Sequence, residues 1–251
     1  MLKGIYAAAS GMITQRERLD AVANNVANVS TVGFKRTIPV SRGFYQVFAR
    51  EITRFPAQRG SAEIPGGGAA LDATALDFSP GAIIESGNPF DVALDGSGFF
   101  VVLTPAGERY TRAGNFTLDA EGRLVTQNGH PVMGREGPIV ARGEDVRISS
   151  DGQVMVNGAP VEQLLVVDFP RPHRLTEYGE NYYAAPAEVR QTRTVVEQVQ
   201  LRVGALERSN VNPIVELINL MDAARSYESQ QRVIQAFDQS LDAAVNEIAR
   251  A

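Results

Sequence analysis

The sequence predicts a mainly β protein with α-helical ends. An antiparallel β-rich middle domain is expected to be joined to paired N- and C-terminal heptad helices that form a coiled-coil-like domain. Three observations predict this fold class. Apolar residues recur every seven positions at both ends of the chain. Dipeptides that favour hairpin turns cluster in the middle. Between the first heptad run and these turns, glycine, proline and small residues are frequent, which is typical of irregular structure.

The N-terminal element is a helix predicted within residues 1–35. Its seam consists of apolar residues seven positions apart, namely Ile5, Met12, Leu19 and Val26. Gly33 follows the last periodic residue, where a left-handed cap favours glycine, so we expect the helix to end there. Phe34 is then expected to close over the last turn, and Lys35 to lie beside the negative end of the helix dipole.

Three asparagines interrupt the last turns of this predicted helix, namely Asn24, Asn25 and Asn28. Asparagine is a poor helix former, because its side chain competes for backbone hydrogen bonds. One interpretation is a frayed helix end. The other is that the amides bond to backbone or to neighbouring helices after assembly.

The C-terminal element, residues 212–251, is a second predicted heptad helix. Its seam residues are Leu220, Tyr227, Ile234, Leu241 and Ile248. Asn212 suits the N-cap, and Pro213 suits the first helical position, because its missing N–H would have no partner inside the helix. We expect the helix to continue to about Ile248.

The residues between the helices divide into three predicted segments. Residues 36–82 form an extended or irregular connection, with an irregular loop at 56–82. Residues 83–192 form the β-rich domain, in which 99–103 have the pattern of a buried strand. Residues 193–211 contain a returning strand, predicted from the alternation of 193–203. Five dipeptides predict hairpin turns: Asp95-Gly96, Glu121-Gly122, Asn128-Gly129, Asp151-Gly152 and Asn157-Gly158.

The residues that catalysis or metal binding would need are few. There is no cysteine, and the two histidines, His130 and His173, fall in predicted turns without a metal-ligand partner at a suitable spacing. Asp91 and Asp95 would be roughly 13 Å apart on a strand, which exceeds either glycosidase geometry. The net charge of −5 disfavours nucleic-acid binding. We therefore expect no enzyme activity, cofactor, metal, nucleic acid or small-molecule substrate.

Four blocks of the chain resemble bacterial flagellar rod and hook proteins, the axial proteins of the basal body. Residues 23–35 resemble the N-terminal signature of this family, and 87–100, 110–116 and 204–234 agree with further blocks. The N-terminal signature residues are Asn24, Asn25, Asn28, Gly33, Phe34 and Lys35. The C-terminal signature residues are Glu207, Ser209, Asn210, Asn212, Arg225 and Glu228.

The resemblance implies a structural subunit that polymerises helically into the rod, the drive shaft that crosses the periplasm and transmits torque to hook and filament. Its implied partners are further copies of itself, other rod proteins, hook-side and membrane-ring components, and the flagellar type III export apparatus. Export would proceed without a cleaved signal peptide. The segment 129–139 and the short length favour the proximal over the distal rod type. The alternative is a soluble extracellular β-rich binding module with coiled-coil oligomerisation ends.

Overall fold

Helices at both ends and a series of short strands between them make up the computed structural model, which describes residues 2–43 and 69–248. The α-helices are α1 (Leu2–Ala27), α2 (Ala187–Arg190) and α3 (Pro213–Ile248), and a 3-10 helix covers Pro172–Arg174. The strands are β1 (Thr37–Gly43), β2 (Ala69–Leu76), β3 (Ile83–Glu85), β4 (Val92–Leu94), β5 (Phe99–Thr104), β6 (Gly107–Thr111), β7 (Thr117–Leu118), β8 (Leu124–Val125), β9 (Val146–Ile148), β10 (Gln153–Val156), β11 (Ala159–Gln163), β12 (Val166–Asp168), β13 (Thr176–Gly179), β14 (Tyr182–Ala184), β15 (Thr194–Val195), β16 (Leu201–Val203) and β17 (Ala205–Glu207).

The described chain divides into two units. The helical unit is drawn from residues 1–27, 37–75 and 212–251, and the β unit comprises 28–36 and 76–211. Helices α1 and α3 pack against each other in the first unit, and the strand pairings described for the second are antiparallel. The predicted fold class is therefore confirmed. Among the described residues, no helix is long and apolar enough to cross a membrane.

The seam of the helical unit follows the predicted heptads most closely on α3. Ala223 is fully buried, and the seam residues Tyr227, Ile234 and Leu241 are half-buried, whereas most side chains between them are exposed. On α1 the seam residues are half-buried too, namely Met12, Leu19 and Val26. The side chains of the outermost seam residues, Ile5 and Ile248, lie outside the described residues.

Of the two helix ends that the sequence predicted, one is confirmed and the other is wrong. At α3 the prediction is confirmed, because the Oδ1 atom of Asn212 accepts the backbone N–H groups of Ile214 at 3.1 Å and Val215 at 3.3 Å. At α1 the prediction is wrong, because the helix ends at Ala27. Asn28 ends it by forming a local turn, in which its carbonyl and its side-chain oxygen accept the N–H and hydroxyl of Thr31.

The largest sheet of the β unit has six strands in the order β13-β14-β6-β5-β12-β15. Its central strand β5 is buried on both faces, which explains the continuous apolar run that predicted it. Phe100 and Val102 face one hydrophobic cluster, and Phe99 and Val101 face the other. Each such side chain contributes about 1.5–3 kcal/mol when it leaves water. These two clusters hold the β unit together from within a single chain.

Four of the five predicted hairpin turns connect neighbouring antiparallel segments. Glu121-Gly122 joins β7 to β8, Asp151-Gly152 joins β9 to β10, and Asn157-Gly158 joins β10 to β11. Asn128-Gly129 lies between Val125 and Pro131, which bridge each other. The prediction at Asp95-Gly96 is wrong, because β4 pairs with β16 whereas β5 pairs with β6 and β12.

Two other expectations were also wrong. The loop predicted at 56–82 is not irregular throughout, since it contains β2, which pairs with β1 as a two-stranded sheet. The first part of this predicted loop, 56–68, lies outside the described residues. The predicted strand 193–203 is broken, because its two halves join different partners. Strand β15 pairs with β12, and β16 pairs with β4.

Candidate functional site: the buried signature cluster

Three charged residues from distant parts of the sequence meet in the interior of the β unit. The Nζ atom of Lys35 lies 2.7 Å from Oε1 of Glu207, and both side chains are almost fully buried. The guanidinium of Arg112 lies 3.5 Å from the other oxygen, Oε2. We call Lys35, Arg112 and Glu207 the signature cluster. Two cations thus share one carboxylate, so Glu207 is the only counter-charge that the cluster itself contains.

Backbone groups supply the remaining partners of the signature cluster. Lys35 donates to the carbonyl of Ser79 at 2.7 Å, and Arg112 donates to that of Gly96 at 2.8 Å. The amide of Gly81 donates to Glu207 at 2.9 Å. Buried charges are tolerated only when they are paired and hydrogen-bonded in this way. The cluster therefore binds five separate chain segments together.

Burial sets the direction of the pKa shifts around this cluster. Loss of hydration lowers the pKa of the Lys35 ammonium, and the neighbouring Glu207 carboxylate opposes that shift. Burial likewise lowers the pKa of Arg112. The phenol of Tyr183, which is buried in the same unit, has its pKa raised, mainly because burial disfavours its anion. The location of Lys35 also corrects the expectation of a cation beside the dipole of α1.

Asn210 forms a second contact between the N-terminal and C-terminal signatures. Its Oδ1 accepts the backbone N–H of Arg36 at 2.8 Å, and its Nδ2 donates to the carbonyl of Asp77 at 2.8 Å. Arg36 and Asp77 also form an ion pair at 3.1 Å. The hydroxyl of Ser209 accepts the N–H of Val211 at 3.3 Å. Residues 35–36, 77–79 and 207–211 are held in register by these bonds.

Gly33 lies where the turn after α1 comes close to the backbone of residues 112–113, and this close approach requires a glycine. Its φ of 67° is left-handed, as predicted, but it lies in the turn after α1 and not at the helix cap. Its N–H donates to the carbonyl of Glu207 at 2.7 Å. A Cβ at this position would come within 2.4 Å of the amide of Ala113 and the carbonyl carbon of Arg112. Phe34, the next residue, is buried.

The asparagines of the N-terminal signature have separate roles. In the helical unit, Asn25 is buried and exchanges two hydrogen bonds, each of 2.9 Å, with the N–H and C=O of Thr37. Asn25 therefore bonds to backbone within one chain, whereas bonding of the amides across subunits after assembly stays a prediction. Asn24 is exposed, whereas Asn28 forms the turn that ends α1. On α3, the signature residues Arg225 and Glu228 are exposed.

Two residues of the site were not among the predicted site residues. Arg112 belongs to a block that resembled the family, and its charge opposite Glu207 was the available signal. Asn181 had no local signal. It has a φ of 61° in the turn between β13 and β14, and its Nδ2 donates to the carbonyl of Val32 at 2.6 Å. Such strain in a residue other than glycine persists only where its surroundings hold it in place.

The residues considered for catalysis have ordinary structural partners. His130 lies 3.4 Å from the carboxylate of Glu180. Asp95 pairs with Arg202 at 3.0 Å. The amide Nδ2 of Asn88 donates to Asp91 at 3.0 Å. The side chain of His173 lies outside the described residues. In the part of the chain that the structure describes, no three His, Asp or Glu side chains are grouped closely enough to hold a metal ion.

Three family profiles match successive parts of the chain. Residues 5–35 match the family "Flagella basal body rod protein", and 93–156 match "Flagellar hook protein FlgE/F/G D1 domain". Residues 202–247 match "Flagellar basal body rod FlgEFG protein C-terminal". The first and last profiles therefore include the two signatures that meet in the β unit.

Full-length relatives agree with these profiles. The flagellar basal-body rod protein FlgF of Caulobacter vibrioides is 33% identical over 93% of both chains. FlgF of Mesorhizobium japonicum is 30% identical over 98% of this chain and 97% of its own. The rod protein FlgG of Bacillus subtilis is 31% identical over 98% of this chain and 99% of its own. The comparisons give no support to the alternative of an extracellular binding module. The chain belongs to the flagellar basal-body rod proteins and is a structural subunit of the rod.

Proposed function

We propose that the chain polymerises helically through α1 and α3, and that the β unit is the preformed body that these helices link into a torque-transmitting shaft. The observation that carries this proposal is the unequal burial of the two units. The β unit has two clusters of fully buried apolar side chains. On α1 and α3 the buried apolar residues are only Ala21, Val22 and Ala223 among the described side chains.

A helix pair with so few buried apolar side chains gains little stability from its own packing. Isolated helices are marginal in water, and packing of an apolar face supplies most of their stability in proteins. The half-buried seam residues would gain apolar contacts if further helices packed around them. We therefore infer that α1 and α3 become fully ordered in the polymer. The partners would be copies of this chain, other rod proteins, hook-side and ring components of the basal body, and the export apparatus.

The proposal assigns no catalytic role to any residue. Its narrower form places the chain in the proximal part of the rod, which the segment 129–139 and the short chain favour. Electron microscopy of basal bodies that carry an epitope-tagged chain would locate the label along the rod. A label confined to the part of the rod next to the hook would contradict this narrower assignment.

Backbone NMR of the dilute monomer tests the proposed order of events. We expect sharp, random-coil resonances from residues 2–27 and 213–248, and dispersed resonances from 76–211. Rigid helices in the dilute monomer would contradict the inference that assembly orders them. Deletion of the chain in its own bacterium is expected to abolish both motility and complete basal bodies. Intact basal bodies in the deletion strain would overturn the proposed function itself.

A further inference from the structure

Helix α3 carries a second apolar face, distinct from its seam. Ile214, Leu217, Ile218 and Met221 recur at helical spacing and are between 50% and 70% exposed. Arg225 and Glu228 extend the same face by two further turns, and both are exposed. We call these six residues the α3 outer face. Four large exposed apolar side chains on adjacent turns are typical of a protein contact surface.

Helix α1 has an outer face of a complementary kind. Arg16, Asp20, Ala23 and Ala27 follow one another at spacings of three and four, and all are exposed. We call these residues the α1 outer face. Its first two members are charged, whereas its last two are small enough to let another helix approach closely.

The two outer faces match when their helices run antiparallel. Because both helices rise about 1.5 Å per residue, an antiparallel pair keeps one register along its length. With Ala27 opposite Leu217, Ala23 falls opposite Met221. Continuing in the same register, Arg16 falls opposite Glu228, and Asp20 falls opposite Ala224, one residue from Arg225. Large apolar side chains then meet alanines, Arg16 meets Glu228, and Asp20 lies within one residue of Arg225, in reach of its long side chain.

We propose that the α1 outer face of one copy of this chain binds the α3 outer face of a second copy in this antiparallel register. This inference rests on the proposed function and names its contact. Within one chain the helices already pack through their seams, and Gly11 lies beside Gln230 there. Because the two faces differ, each copy uses one face toward each neighbour. Such a heterologous contact produces an open helical filament when the rotation between copies does not close a ring.

The charge pairs also account for signature residues that are exposed within a single chain. Arg225 and Glu228 form no ion pair described within the subunit, yet they belong to the block that resembled the family. In the proposed contact they select the register, because a shift of one helical turn would place like charges together. Opposite charges at the rim of a contact serve specificity more than affinity.

Cysteine cross-linking tests the register directly, because the chain has no cysteine of its own. Two full-length variants with different epitope tags, Ala27→Cys and Leu217→Cys, are co-expressed in the deletion strain and oxidised. We expect a disulfide-linked dimer that carries both tags, at least about tenfold more abundant than with the matched control pair. That control combines Ala27→Cys with Val233→Cys, which is exposed but lies off the face.

Three outcomes of the cross-linking would overturn the proposal. Equal cross-linking by the Val233→Cys control would show that the register is wrong. Cross-links only to a different rod protein would show that the occupant is not a second copy. Rods that assemble normally but give no Ala27–Leu217 cross-link would refute the contact and leave the proposed function intact.

Charge reversal provides a second, independent test in the deletion strain. Asp20→Arg and Arg225→Asp are each expected to lower the yield of assembled rods about tenfold, because each places like charges close to one another. The double variant is expected to return the yield to within about twofold of the unmodified chain. Asp238→Arg, an exposed reversal off the outer face, is the control. Failure of the double variant to recover would contradict the pairing of Asp20 with Arg225.

Discussion

The charged family-signature residues are buried in the β unit and exposed on α3 of the helical unit. In the β unit, Lys35, Arg112 and Glu207 are buried and meet one another within one chain. In the helical unit, Arg225 and Glu228 are exposed, and large apolar side chains near the start of α3 are uncovered. The difference teaches that a single sequence signature can serve two purposes. One part stabilises the subunit, and the other remains available for contacts outside it.

The largest expected effect is the loss of the counter-charge in the β unit. Glu207→Gln leaves Lys35 and Arg112 buried without a carboxylate, which should lower the free energy of unfolding by about 3–5 kcal/mol. Urea denaturation followed by circular dichroism measures it. The control Asp145→Asn breaks the exposed pair with Arg147 at 2.8 Å and should cost less than about 1 kcal/mol. Equal losses of unfolding free energy in the two variants would show that the buried carboxylate of Glu207 contributes no more stability than an exposed one.

Gly33→Ala tests the close backbone approach in the β unit. The left-handed conformation alone should cost roughly 1–2 kcal/mol, and the contact of the new Cβ with residues 112 and 113 should add to that loss. Gly87→Ala is a matched control, because Gly87 has a similar φ of 76° with no atom near the added Cβ. Denaturation midpoints of both variants separate the clash from the strain. Similar midpoints would argue against the close approach.

Tyr183 gives the β unit a dependence of stability on high pH. The buried phenol keeps its proton in the folded chain, since its pKa is raised, whereas the unfolded phenol loses its proton near pH 10. Unfolding therefore releases a proton above pH 10, and stability should fall by up to about 1.4 kcal/mol per pH unit. Tyr183→Phe should remove this part of the slope. Tyr178→Phe, at an exposed tyrosine, should retain it in urea titrations between pH 9 and 11.

The smallest expected effect concerns the start of α3 in the helical unit. Asn212→Ala removes the side chain that caps Ile214 and Val215, which should cost about 1 kcal/mol. Hydrogen exchange in assembled rods should show faster exchange at residues 214–216, with the β unit unchanged. Ser229→Ala, in the exposed middle of the helix, is the control. Faster exchange throughout the β unit as well would instead mean that the stability of the two units is coupled.

The sequence predicted the elements that local rules determine. Asn212 and Pro213 specify the start of α3 through the backbone bonds of its first turn, and the apolar run at β5 specifies a strand buried on both faces. The hairpin predictions were correct where the segments on either side of the dipeptide pair with each other. Asp95-Gly96 failed because a turn dipeptide carries no information on which partners its flanking strands choose.

The site itself was predicted only as separate residues. Lys35 and Glu207 were both recognised in the signatures, but their pairing bridges 172 positions and depends on the tertiary fold. Lys35 was therefore assigned to the dipole of the nearest helix. The end of α1 was misplaced for a related reason, since the heptad pattern continues through Asn28 although that residue forms a turn.

The distance in sequence between Lys35 and Glu207 has a consequence for the timing of folding. A contact across 172 positions cannot form until the chain has been synthesised as far as Glu207. Until then, Lys35 and Arg112 stay hydrated, because burial without the carboxylate is too costly. Strand β17, which is made late, therefore supplies the charge that allows Lys35, which is made early, to enter the core, and we expect a chain truncated before Glu207 not to complete its β unit.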